Sequence, residues 1–336
     1  MTARRARALT AADIEALFTP LARAKTLLVA VSGGPDSTAL LLMAAEWANR
    51  RGRTRIEAAT VDHGLRPESA EEAKTVAALC ARLGVVHRIL RWKGAKPSSR
   101  LQERAREARY RLLADHAKAI GADALLTAHH ADDQAETVLF RLLRGSGVAG
   151  LRGMELTTKR DGMTIVRPLI GLRKLELIAF AEARRAPFVD DPSNADPRFA
   201  RTRLRALLAR LGDEGLDAEA LDRLARRAGE TEQALAHLTA EVEARLGQEE
   251  AIDARALYAA PIAIVQRILA RRIAAAGGRD PSRIGLEKIE ALAAGLGEAL
   301  RERRAFGANV GGALMRLTVK GRLSFAPEPP RKSAKG

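Results

Sequence analysis

The sequence predicts an α/β protein: a parallel, doubly wound sheet followed by a smaller, mainly helical domain that ends in a short hairpin. Three observations carry this. Over the first two hundred residues, short aliphatic runs alternate with longer amphipathic stretches, the pattern of parallel strands covered by crossover helices. A glycine turn, Val29–Ser37 (VAVSGGPDS), joins the first run to the first amphipathic stretch. Beyond about residue 213 the helical spacing continues and the strand signal stops.

Taken in order, strands are expected over 26–31, 56–61, 85–90, 124–128 and 164–168. Helices are expected over 37–50, 69–83, 99–120, 133–143 and 174–184, with Gly84, Gly121 and Gly145 as stops. Residues 190–198 (DDPSNADPR) read as a loop, because prolines, serine and asparagine break regular structure. Stretches 217–245 and 260–275 have helical spacing, and 313–319 with 322–325 flank Lys320-Gly321 as a hairpin. The expected organisation is a catalytic domain over 1–212, a mainly helical carboxy-terminal domain over 213–326 that contacts RNA, and a disordered tail over 327–336.

The composition bounds the function. The chain has 336 residues, with 57 Lys and Arg against 41 Asp and Glu, a net charge of +16. Such a field attracts polyanions. Residues 267–336 hold 15 basic against 6 acidic side chains, an expected RNA-facing surface. Aromatic residues make up 3%, too few for extensive base-stacking platforms. No apolar run approaches the length of a membrane span, and no signal peptide is recognised; the expected location is the cytoplasm, with no membrane partner. The single cysteine, Cys80, lies in an Ala/Leu-rich helical stretch and reads as a buried apolar residue. One cysteine cannot build an internal disulfide or a cysteine-only metal site.

The glycine turn carries the first chemistry. Gly33 and Gly34 open backbone conformations closed to other residues, so successive N–H groups can point into one concavity and hold phosphate oxygens. The helix that follows adds the positive end of its dipole, and Ser32, Ser37 and Thr38 add hydroxyls. Asp36 is anomalous beside phosphate, unless Mg²⁺ bridges it to the nucleotide. The turn is neither a dinucleotide fingerprint nor a lysine-bearing P-loop.

Ligands of open α/β sheets bind beyond the carboxyl ends of the strands. There the second strand is followed by Asp62 and His63, and the fourth by His129, His130, Asp132, Asp133 and Glu136. Asp133 and Glu136 share a helical face, which suits Mg²⁺ or a substrate amine; helix capping is the alternative. Arg109 shares a face with Arg106 on the long helix. Arg205 shares one with Arg201 and is spaced to reach back towards the same rim.

Seven segments together resemble the tRNA(Ile)-lysidine synthase family of PP-loop ATP pyrophosphatases. They are SGGPDS from Ser32, VDHGLR from Val61, AREARY from Ala105, TAHHADDQAET from Thr127, LLRGSGVAGLRGM from Leu142, RPLIGLRK from Arg167, and the DDPSN loop with Arg201 and Arg205. The resemblance implies an adenine nucleotide α-hydrolase-like fold and a ligase. ATP adenylylates C2 of the wobble cytidine of a CAU-anticodon tRNA(Ile); the ε-amine of L-lysine then displaces AMP, giving lysidine. It implies ATP with Mg²⁺ on Asp36, a nucleotide held by Ser32, Gly33, Gly34, Pro35, Asp36, Ser37, Asp62 and His63, and substrate lysine on Asp133 and Glu136. It assigns Arg109, His130 and Arg205 to the developing charges. The chain matches the shorter members, without a second carboxy-terminal domain. A homodimer is left open. The alternatives are a related ATP-dependent amide synthetase acting on a small molecule, and a non-catalytic tRNA-binding protein. A sulfur-transferring relative would need more cysteines than Cys80.

Overall fold

The computed structural model describes residues 7–64, 69–94, 101–189, 200–247, 249–278, 280–281 and 284–328, with the backbone alone for Ala70, Ala200 and Arg201. The DDPSN loop, Leu65, Arg66 and most of the expected tail lie outside the described residues. The chain divides into two compact units, one of Met1–Leu143 with Gly153–Ala225, the other of Arg144–Arg152 with Arg226–Gly336. The expected boundary at 212/213 coincides with the end of one helix; the units divide within the next.

The first unit runs α1 (Ala11–Phe18), β1 (Thr26–Ala30), α2 (Pro35–Arg51), β2 (Arg55–Asp62), α3 (Ser69–Arg82), β3 (Val86–Arg91), α4 (Leu101–Ala119), β4 (Ala124–Leu126) and α5 (Ala131–Leu142). One turn, α6 (Val148–Leu151), belongs to the second unit. The chain returns with β5 (Thr157–Arg160), β6 (Met163–Val166), α7 (Lys174–Ala183) and α8 (Ala200–Asp213).

Strand order is β3-β2-β1-β4-β6-β5, parallel throughout except for β5 against β6. The chain steps outward from β1 to β2 and β3, then crosses back to β4 on the other side of β1. The carboxyl ends of β1 and β4 are therefore neighbours, with Leu27 opposite Ala124 and Val29 opposite Leu126. This is the reversal point where open sheets bind ligands.

β1 is buried along its whole length because helices cover both faces of the sheet. Leu27, Val29 and Val31 pack with Leu40, Leu41, Met43 and Trp47 of α2 and with Leu177 and Phe180 of α7. Leu28 and Ala30 point the other way, into Tyr110, Leu113 and Ala117 of α4. Leu204 of α8 packs with Ala135, Val138 and Leu139 of α5.

α9 (Ala218–Leu246) begins in the first unit. The second unit continues with β7 (Ala251–Asp253), α10 (Ala254–Tyr258), α11 (Ile262–Ala276), α12 (Leu286–Arg301), β8 (Phe306–Val310), β9 (Ala313–Leu317) and β10 (Arg322–Pro327). The expected hairpin is β9 with β10, Leu317 opposite Leu323. It is the middle of a four-stranded antiparallel sheet ordered β7-β10-β9-β8. Ile264, Ile268 and Leu269 of α11 and Leu292 and Leu296 of α12 share a core with Leu317 and Leu323. No helix among the described residues is long and apolar enough to cross a membrane.

Candidate active site

β1 delivers Val31 and Ser32 to the rim of the sheet, and α2 starts at Pro35. Between them Gly33 has φ +91°, a conformation that favours glycine. Gly34 does not share it: at φ −72° and ψ 164° it is ordinary extended backbone. The expectation that both glycines are conformationally special therefore holds for Gly33 alone. Gly34 is the N-cap of α2 and brings no side chain to cap it, so the first N–H groups of the helix receive no side-chain acceptor. Pro35, at N1, has no N–H to satisfy. The loop is braced from within. Ser37 Oγ donates to Gly34 O at 3.0 Å and accepts from Ser32 N at 3.1 Å, with Ser32 Oγ 3.2 Å away. Val189 N donates to Gly33 O at 2.9 Å. Thr38 is buried. A rigid loop ahead of an uncapped helix start is a site prepared for phosphate oxygens.

Beside it lies a cavity of about 270 Å³, lined by Ser32, Thr60, His63, Ser69, Glu72 and Arg109 among others. Two of the expected nucleotide residues fare differently here. His63 lines the cavity and meets Trp92 edge-on, with ring centroids 6.0 Å apart. Asp62 folds its carboxylate back, accepting from Gly64 N and Ser69 Oγ, each at 2.9 Å. The Gly64 bond, then the Ser69 bond, hold its pKa below the usual carboxylate value against partial burial. Asp62 thus shapes the turn that presents His63. Thr60, Ser69 and Glu72 were not singled out from sequence; only the position of Thr60 on an expected strand and of the other two at the next helix start could have signalled them.

On the β4 side, His130 is the N-cap of α5 and is buried. Asp133 Oδ2 accepts from His130 N at 3.2 Å, closing a capping box. Asp132 Oδ2 accepts from Lys174 N at 2.9 Å and lies 3.3 Å from His130 Nδ1. The capping reading of these acids is thus realised, but it does not exhaust them. His130 Nε2 is 3.5 Å from Asp133 Oδ2 and 3.5 Å from Asp36 Oδ2. One imidazole nitrogen therefore bridges the phosphate loop and the acid helix. Burial alone would push the His130 pKa down; hydrogen bonds to Asp132 and Asp36 and the charges of Asp133 and Asp36 overcome it and raise the pKa to about 10. Asp132 N donates to His130 Nδ1 at 3.2 Å, which suits a neutral ring, but the three carboxylates around the ring favour the imidazolium.

Glu136, one turn along α5, is buried and accepts from Arg205 Nε of α8 at 2.5 Å. Burial would lower the Arg205 pKa; the hydrogen bond and charge of Glu136, with the charges of Asp133 and Asp36, raise it instead. Arg205 does reach back to the rim, and it meets Glu136 there; the side chain of Arg201 is outside the described residues. Arg109 faces the cavity, while Arg106 lies over Tyr110. His129 Nδ1 is 3.0 Å from Thr127 Oγ1. Gln134, unremarked in the sequence, anchors the segment after α6: it donates to Met154 O at 3.0 Å and accepts from Met154 N at 2.6 Å.

A divalent cation can be tested against these groups. Among the described residues no cluster of three His, Cys, Asp or Glu side chains could hold a metal unaided. Mg²⁺ in nucleotide sites is held by one or two carboxylates together with substrate phosphates. Asp36 fits that pattern, since its Oδ1 is buried without a hydrogen-bond partner in the first turn of α2. Cys80 is buried and its thiol is pushed up to about 11 by burial, so it supplies no thiolate.

Comparison with known proteins points the same way. A family model described as a PP-loop domain matches residues 7–211. The tRNA(Ile)-lysidine synthase of a Bradyrhizobium species is 44% identical over 344 residues, with 96% of each chain covered. That of Rhodopseudomonas palustris is 45% identical over 339 residues, 97% of each, and that of Methylobacterium nodulans 49% over 314 residues, 91% of each. Among solved structures, a U34-tRNA thiolase of Methanococcus maripaludis superposes with a TM-score of 0.54 at 17% identity, covering 64% of this chain and 78% of that one; the likeness is one of fold.

Proposed function

This chain belongs to the tRNA(Ile)-lysidine synthase family, and from that premise we propose that it ligates L-lysine to C2 of the wobble cytidine of CAU-anticodon tRNA(Ile). It is an ATP-using tRNA-modifying ligase. The observation that carries the lysine chemistry is the shared imidazole: Asp36 of the phosphate loop and Asp133 of the acid helix approach the same His130 nitrogen at 3.5 Å.

In the first step the cytidine C2 oxygen attacks the α-phosphorus of ATP and pyrophosphate leaves. The uncapped N–H groups of α2 and the Ser32–Ser37 loop bind the departing phosphates, and the cavity beside them, with His63 and Arg109, receives the nucleoside. Mg²⁺, bound through Asp36, would neutralise phosphate charge. In the second step the lysine ε-amine attacks C2, the bond to the AMP oxygen breaks, and the amine loses a proton. His130 cannot take that proton, because it already holds one; as a buried cation it stabilises negative charge developing on phosphate. Glu136 is already engaged by Arg205, which leaves Asp133 to receive the proton and Glu136 to orient the ammonium. The carboxy-terminal region from 213 contacts tRNA, and the enzyme works in the cytoplasm.

The test is direct. Purified protein is incubated with ATP, labelled lysine and unmodified CAU-anticodon tRNA(Ile), and label in the RNA is measured. Release of AMP without tRNA, with no label in RNA, would instead favour a small-molecule amide synthetase.

A further inference from the structure

We infer that Tyr110 and the three arginines around it, Arg106, Arg160 and Arg167, form a docking site for a backbone phosphate of the RNA substrate, an inference that rests on the tRNA reading above. The Arg106 guanidinium carbon lies 5.2 Å from the centre of the Tyr110 ring, and that of Arg160 lies 4.3 Å from it. Arg167 also interacts with Tyr110 and donates from Nη1 to Glu155 O at 2.8 Å. Three guanidiniums, from α4, β5 and the end of β6, thus converge on one phenol.

The cluster is short of anions. Among the described residues Arg106 and Arg167 make no ion pair. Arg160 has Asp161 at 3.5 Å, where both side chains are well exposed, and the exposed Glu155 is the other acid near Arg167. Arg167 is only 8% exposed, and its Nε is buried without a hydrogen-bond partner. Burial, and behind it the charge of Arg106, lowers its pKa. A buried cation with an idle donor beside a second cation is unfavourable unless an anion completes it.

Shape and place identify the anion. Guanidiniums stacked on a ring keep their N–H edges free, and those edges match phosphate in pairs. The nucleotide phosphates already have the loop after β1. Arg167 leaves the sheet beside the other strand end of the site: Thr127 N donates to Val166 O at 3.0 Å, three residues ahead of His130. Arg106 sits one turn from Arg109, which lines the nucleotide cavity. A wobble base presented at this rim brings its flanking phosphodiesters with it, and such contacts position an RNA without reading its sequence.

The experiment measures the affinity of wild type, the double variant Arg106→Gln/Arg160→Gln, and Arg104→Gln for unmodified CAU-anticodon tRNA(Ile) over a range of salt. Arg104 is an exposed residue of the same helix, paired with Glu107, and controls for loss of charge as such. The double variant is expected to bind about ten-fold more weakly at low salt, with the slope of log affinity against log salt shallower by about 0.7–1.8, one or two phosphate contacts. ATP affinity and the behaviour of Arg104→Gln are expected to match wild type. An unchanged slope, or an equal loss in Arg104→Gln, overturns the docking site. So does loss of inorganic pyrophosphate binding with tRNA affinity intact, which would assign the cluster to a free phosphate. Lysine incorporation by wild type is run alongside. Its absence would defeat the functional reading, whereas incorporation with undiminished tRNA affinity in the double variant defeats the docking site alone.

Discussion

Gly33 and Gly34 are adjacent in sequence, yet the structure gives them separable duties, and two substitutions should pull those apart. Gly33 sits at φ +91°, and the nearest atom to a Cβ there would be Val76 Cγ2 at 3.5 Å, with Glu72 O at 3.9 Å, both ordinary contacts. The cost of Gly33→Ala is therefore backbone strain, about 1–3 kcal/mol, less about 0.4–1 kcal/mol from the stiffer unfolded chain. The difference runs up to about 2.6 kcal/mol, and a mid-range loss of about 1–2 kcal/mol lowers the melting temperature by about 2–8 °C for a unit of this size. Gly34 has φ −72°, and a Cβ there would lie 3.8 Å from Ser32 Oγ and 3.9 Å from Val189 O. Serine fits without strain and supplies the cap that α2 lacks, a gain of up to about 1 kcal/mol. Its hydroxyl would then occupy the N–H groups reserved for phosphate. A hydrogen bond to a charged group is worth about 1.5–3 kcal/mol, so ATP affinity should fall about ten- to a hundred-fold. Thermal unfolding and ATP titration calorimetry read the two quantities. A Gly34→Ser protein that binds ATP like wild type, or a Gly33→Ala protein that melts like wild type, would refute this division of labour.

Asp36→Ala should abolish AMP formation while leaving the fold intact by circular dichroism; retained turnover would dismiss its Mg²⁺ contact. Glu136→Gln should raise the lysine concentration needed for half-maximal rate about ten-fold or more. Its effect on stability should stay within about 1 kcal/mol, because the Arg205 side chain is 40% exposed and screened. His130→Gln should cost stability in a pH-dependent way. With its pKa raised from 6.5 to about 10, His130 contributes fully below pH 6.5 and loses that contribution as pH rises through 10. Asp132, lowered to about 2 by the His130 and Lys174 hydrogen bonds against opposing burial, contributes above pH 3.8 and loses that as pH falls through 2. The urea midpoints of wild type and variant should therefore differ most between pH 4 and 6.5 and converge towards pH 10; a constant gap would contradict the charged imidazole. Native Cys80 should resist iodoacetamide at pH 8 and react once the chain is unfolded.

The parallel core was legible because its strands are covered on both faces and read as unbroken aliphatic runs; Thr26–Ala30 is the clearest case. β5 was not, because its residues, Thr-Thr-Lys-Arg, lie at the sheet edge and alternate between exposed and half-buried. α12 was not, because Gly295 and Gly297 interrupt its pattern. The structure explains Gly297: a Cβ there would come within 2.9 Å of the Tyr258 ring, whose hydroxyl donates to Ala293 O on the same helix. In the site, residue types and spacing named Asp36, His130, Asp133 and Glu136. They could not reveal that Glu136 is met by Arg205, 69 positions away, or that Glu72 joins Arg109 at the cavity, because both depend on how helices pack.

The arrangement of charge bears on how such a site can exist before its substrates arrive. Asp36, Asp132, Asp133 and Glu136 would repel one another if gathered bare at one rim. His130 and Arg205 prevent that from within: the imidazolium lies within 3.5 Å of three of the acids and the guanidinium binds the fourth. The substrates bring cations of their own, an ammonium and the metal that accompanies ATP. Each can take over a carboxylate that an internal cation held, which lets His130 and Arg205 turn their charge towards phosphate. Substrate cations and internal cations then compete for the same carboxylates, so lysine and Mg²⁺-ATP should each bind better when the other is present. Calorimetric titration of lysine with and without a non-hydrolysable Mg²⁺-ATP analogue measures that coupling. Equal lysine affinity in the two titrations would mean that the internal cations stay where they are, and that the acids serve the fold alone.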